Sequence, residues 1–159
     1  MIDNGFSNAR GVAFLDPFGM DVDWTTLEAI SQTQVFDVWY LFSLSGLYRQ
    51  ATRNPLHIDD TKRQAITRVL GTEEWLNEIY REPPQLTFFE SGRLERADVD
   101  SLEVYVHRRL SQIFAKVAKP LRLPKAGAPR FSLFFAVSNP DPKAIRLAMS
   151  IASHILERA

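Results

Sequence analysis

The sequence of 159 residues contains no cysteine. That excludes disulfides, thiolate metal sites and cysteine nucleophiles. No apolar run approaches the roughly 20 residues that a membrane-spanning helix needs. The amino-terminal MIDNGFSNAR lacks the apolar core of a secretory leader. A cytoplasmic protein that does not engage membrane is the expectation. Only seven glycines occur, all scattered, and none builds the glycine-rich strand-to-helix turn that cradles a nucleotide phosphate. A GxSxG nucleophile elbow is also missing. The three histidines, His57, His107 and His154, show no ligand spacing with one another or with carboxylates, so no metal site is expected.

Acid is missing from one long stretch. Between Val104 and Pro140 there is no Asp or Glu, against Arg108, Arg109, Lys116, Lys119, Arg122, Lys125 and Arg130. The net charge of zero therefore hides a split: residues 1–103 carry nine Lys/Arg against seventeen Asp/Glu, and residues 104–159 carry ten against two. Either the two halves fold against each other and neutralise, or the basic half offers a face to nucleic acid or another acidic partner.

What is present organises around Gly11 to Trp24, GVAFLDPFGMDVDW. Val12, Ala13, Phe14 and Leu15 form a short apolar run stopped by Asp16-Pro17 and bent at Gly19. Such a run predicts a strand buried on both faces. Asp16 then stands at its carboxyl end, where open α/β sheets bind ligands. Asp23 or Thr25 is placed to cap a helix running to about Thr33, with Thr25 and Glu28 at capping-box spacing. Val35 to Leu44 (VFDVWYLFSL) reads as a second covered strand. Strand, helix, strand at this spacing predicts a right-handed βαβ unit with parallel strands. Residues 43–55 then form a loop beside Asp16, where Arg49 is either a partner for that carboxylate or for a bound anion, or an ordinary surface arginine.

Helices are predicted over 59–70 and after Thr72, the latter ended by Pro83-Pro84, with Leu86, Phe88 and Phe89 in a short extended piece. The longest helix is predicted over 98–118 from the stripe Leu102, Val106, Leu110, Ile113, Phe114 and Val117. Phe131 to Val137 (FSLFFAV) gives a third apolar strand, and Asp141-Pro142 opens a last helix. The sum is one α/β domain over 1–159: a partial doubly wound sheet of about three main strands with helices on both faces. Three such strands leave an apolar edge, a template for another strand or for oligomerisation.

The one arrangement with chemical promise is the tip Asp16, Pro17, Phe18, Gly19. A carboxylate at a strand end accepts a hydrogen bond from an amine or hydroxyl, proline stiffens the turn, and Phe18 offers a face to a planar substrate. Enzymes that act on nucleobases combine such edge hydrogen bonding with stacking. The bland alternative is a turn and a helix cap. Trp24, Trp39 and Trp75 read as core aromatics.

FLDPFGMDVDW followed by FDVWYLFSLSGLYRQATRN, then GTEEWLNEIYRE, RRLSQIFAKVAKPLRLP and FSLFFAVSNPDPKAIRLAMSIASHIL resembles the three-Cys-motif partner protein family, TcmP. The resemblance runs from about Val12 to the end, several segments in order. It implies a bacterial protein related in fold to class I S-adenosylmethionine-dependent methyltransferases, working with a separate protein that bears three cysteines. It also implies that the chain corresponds to the carboxyl-terminal half of a larger domain. S-adenosylmethionine would then be bound by a full-length member, with no cofactor held by this chain alone. Amino-methyltransferases carry Asp/Asn-Pro-Pro-aromatic where this sequence has DPFG. Carried over, Asp16 accepts the target amine and Pro17 shapes the backbone, with Phe18 in place of proline and Gly19 in place of the aromatic ring. Trp24 and Arg49 are the accompanying substrate-binding candidates.

Overall fold

The structure is a computed structural model and describes residues 10–81, 94–128 and 130–158. Its elements in chain order are β1 (Gly11–Leu15), α1 (Trp24–Thr33), β2 (Phe36–Phe42), α2 (Leu44–Gln50), a 3-10 turn at Pro55–His57, α3 (Asp60–Leu70), α4 (Trp75–Ile79) and β3 (Tyr80–Arg81). They continue with β4 (Glu95–Arg96), α5 (Val99–Ile113), β5 (Lys116–Val117), β6 (Leu121–Leu123), β7 (Phe131–Val137) and α6 (Pro142–Arg158).

The expected parallel pairing of the first two strands holds: Ala13 lies opposite Val38. β7, the third apolar strand, runs antiparallel to β2, with Tyr40 opposite Phe134. β5 and β6 then pair antiparallel with β7, giving a mixed sheet in the order β1-β2-β7-β5. β3 and β4 form a separate two-stranded ribbon.

Alternation along the strands divides the core in two. Val38, Tyr40, Phe42, Phe134 and Ala136 face α1, α2, α3 and α5 in the larger cluster. Phe135 and Val137, with Trp39, face the opposite way, where α6 covers them with Ile145, Met149 and Ala152. Helices therefore lie on both faces. Fully buried side chains such as Phe42, Phe134 and Leu27 each contribute about 1.5–3 kcal/mol through burial.

Several expectations change. β1 is not covered on both faces: Val12 and Phe14 are 61% and 60% exposed. The reason is its place at the end of the described sheet, beyond the reach of α6. Residues 43–55 are not a loop, because Ser43 caps α2 by accepting from Gly46 N–H at 3.2 Å. Gly46 inside that helix masked it in the sequence. The 98–118 helix stops at Ile113, where Phe114 turns extended and leads the chain back to pair Val117 with Ala136. Phe114 and Val117 are buried all the same, so the apolar spacing runs on past the helix. The longest described helix is α6, seventeen residues, capped by Asp141 Oδ1 accepting from Lys143 and Ala144 N–H at 2.7 and 3.1 Å. The Thr25/Glu28 capping box does not form, since Glu28 Oε1 instead accepts from Trp24 Nε1 at 2.9 Å. Pro83-Pro84 and Leu86 to Phe89 lie outside the described residues.

Candidate functional site

The acidic tip lies where its strand places it. β1 ends at Leu15, and Asp16 to Gly19 cross the carboxyl end of the parallel pair, Gly19 with φ of 68°. Asp16 is exposed and Phe18 is 94% exposed, so carboxylate and ring both face solvent. The loop then returns to the core at Met20, whose side chain packs near Gly46 of α2. The carboxyl ends of β1 and β2 thus adjoin, as the parallel arrangement requires. Arg49, exposed in the last turn of α2, makes no ion pair with Asp16 among the described residues.

The residue that fixes this loop is Arg68 of α3, which sequence reasoning missed. Its guanidinium lies 3.5 Å from Asp21, 3.2 Å from Asp23, and donates to Met20 O at 3.3 Å. One side chain anchors the Met20 carbonyl, 48 residues away in sequence, together with the acids of Asp21 and Asp23. The local signal was two acids, Asp21 and Asp23, on one side of an extended segment, but nothing local names their cation.

Trp24 is 4% exposed. Its ring lies beneath the Arg109 guanidinium at 4.6 Å, and Gly71 packs directly against it. Arg109 is itself fixed by donating to Leu70 O from Nε and Nη2 at 3.0 and 2.9 Å. Trp24 is therefore a buried brace between α1, α3 and α5, and has no face turned toward Phe18's solvent.

The basic half is partly neutralised by the acidic half. Arg108 meets Glu78 at 2.6 Å, and Arg122 meets Asp100 and Glu103 at 2.7 Å each. Glu103 is buried and also accepts from Ser132 Oγ. A half-buried carboxylate, Asp37, sits near the start of β2. Desolvation pushes its pKa up from the ordinary value, opposed by the Ser138 N–H and the nearby Arg10 charge. Asp37 lines a groove of about 310 Å³ between β1 and α6, together with Val12, Trp39, Leu147 and Ile151. No group of three or more His, Asp or Glu side chains among the described residues is placed to hold a metal ion. No described helix is long and apolar enough to cross a membrane.

Compared with known protein families, with curated proteins and with solved structures, the chain matches none.

Proposed function

We propose that the chain is a methyltransferase-like α/β protein of the three-Cys-motif partner (TcmP) type, whose S-adenosylmethionine-binding portion joins the sheet at the free edge of β1. The observation that carries this reading is the state of that edge. Gly11 N–H donates to Val35 O at 3.0 Å, so the alternation of a parallel ladder turns the amides of Val12 and Phe14 away from β2. Among the described residues nothing pairs with them. The same two residues point their side chains, more than half exposed, onto the face that α6 covers only further along the sheet.

Spacing supports a strand-plus-helix addition. Strands lie about 4.8 Å apart and packed helices about 8–10 Å apart. One helix therefore covers about two strands, and α6 over β2 and β7 leaves β1 bare. A neighbouring strand with its own helix would cover Val12, Phe14 and the exposed Leu147, Ile151 and Ile155 of α6. It would also make β1 an interior strand, with Asp16 in the crevice at its carboxyl end. In that setting Asp16 accepts the amine of the methyl acceptor, and Phe18 packs on its planar face. S-adenosylmethionine supplies the methyl group when the full assembly binds it.

Calorimetric titration of S-adenosylmethionine into this chain gives no specific micromolar binding on this reading. Micromolar affinity in the chain alone would falsify it. Phe18→Ala and Asp16→Asn leave stability within about 0.5 kcal/mol, as substitutions of exposed groups do. Any loss of turnover in an active assembly then reports on chemistry. A second reading, an interaction module without catalysis, rests on the same edge. In that case the partner's binding is lost in Val12→Lys, while Asp16→Asn leaves every readout unmoved.

A further inference from the structure

The opposite end of the sheet carries a different concavity. α5, the β5–β6 segment and α6 surround a groove of about 600 Å³, within the usual range for small-molecule sites. Val104, Val117, Pro120 and Met149 give it an apolar wall, and Lys116 and Lys119 give it a basic rim.

Three observations distinguish it from a pair of ordinary surface lysines. Val104 is 66% exposed on α5 and opens onto the groove, an apolar side chain with no cover. The acid in the wall is already engaged: Glu103 Oε2 accepts from Arg122 Nε and Nη2 at 2.9 and 2.7 Å, while Asp100 takes Arg122 Nη1 at 2.7 Å. Among the described residues, neither Lys116 nor Lys119 has a carboxylate partner. Finally, the lysines are not on a free loop. Lys116 pairs with Val137, Val117 with Ala136, and Ala118 N–H donates to Phe135 O at 2.8 Å. Both lysines line the groove beside a backbone already ordered by β7, which lowers the entropy cost of holding a ligand there.

We infer that this groove binds a small phosphate monoester with an apolar body. The dianionic head lies between Lys116 and Lys119, each acting as a point charge, and the body lies against Val104 and Met149. The site is separate from the β1 edge and does not depend on how that edge is filled.

Phenyl phosphate is the probe, titrated into the full chain and followed by NMR chemical shifts. Saturable shifts are expected at Val104, His107, Ala118 and Met149. Phenol and inorganic phosphate, each carrying half of the ligand, bind at least about tenfold more weakly, and each tenfold is the loss of one modest interaction. The double variant Lys116→Gln/Lys119→Gln weakens phenyl phosphate by a similar factor or more. So does Val104→Glu, an exposed position where the fold survives, checked by an unchanged thermal melt. Absence of saturable shifts, or variants that bind as tightly as the parent, overturns the assignment. Stronger binding of a short oligothymidylate, with shifts spreading to Lys125 and Arg130, also overturns it by assigning the surface to a polyanion.

Discussion

Gly71 ends α3 with φ of 68°, and alanine at this position meets two separate penalties. The left-handed backbone costs a residue with a Cβ about 1–2 kcal/mol. The added carbon would also lie 2.1 Å from Trp24 Cδ1 and 2.2 Å from Cγ, closer than any contact a packed core tolerates. Displacing the indole would break its hydrogen bond to Glu28 and its contact with Arg109. Overpacking of that kind costs about 1–3 kcal/mol, so Gly71→Ala should lose about 3 kcal/mol. Gly127→Ala is the internal control, because Gly127 has φ of 87° and nothing within 4 Å of its added carbon. Only the backbone penalty applies there. Urea unfolding at a common m-value measures both. Equal losses at the two glycines would show that Trp24 is not clamped as described, and would reopen it as a residue free to meet substrate.

Hydrogen exchange in the isolated chain should be fast at the amides of Val12 and Phe14 and slow at Val38 and Phe134; protection of the first pair would mean the β1 edge is already covered. Glu103→Gln removes the buried one of the two carboxylates that answer Arg122, and about 2 kcal/mol should be lost, less than the roughly 3–5 kcal/mol of a fully buried pair because Asp100 remains and Arg122 keeps partial solvent access. A loss under about 0.5 kcal/mol in urea would show the pair to be dispensable. Asp37 has its pKa raised in the folded state by desolvation, so its contribution to stability is full below the unfolded value and is lost as pH rises through the folded one. Asp37→Asn should therefore match or exceed the parent's stability at pH 7, with the advantage shrinking toward acid. A variant that is relatively worse at neutral pH than in acid would reverse the sign.

The chain's local chemistry reached the structure unevenly. β2 and β7 were legible because aromatic and β-branched residues fill both of their faces, and Asp141-Pro142 announced α6 through the fit of a capping carboxylate with a proline that needs no N–H donor. α2 was hidden by Gly46, which lowers helix propensity by about 1 kcal/mol relative to alanine. The run from Leu102 to Val117 looked continuous because the core demands apolar residues on both sides of the bend at Phe114. In the candidate site, the acidic tip at the end of β1 followed from Pro17 and Gly19 alone. Arg68, which holds the following loop, did not follow, because a guanidinium on a helix carries no local mark of the carboxylates it will meet. Arg49, chosen for proximity, makes no ion pair with Asp16 among the described residues.

By itself, the sequence determined a mixed α/β chain without thiol chemistry, a parallel strand-helix-strand opening, and a carboxylate at the carboxyl end of the first strand. Those properties depend on residue type and spacing over a dozen or so positions. The tertiary structure alone decided that β7 runs antiparallel, that Phe18 lies outside, and that Val12 and Phe14 form an uncovered edge. Strand direction and exposure are set by which distant surfaces meet, and α6 is one helix wide, so it can cover the middle of the sheet and not its rim.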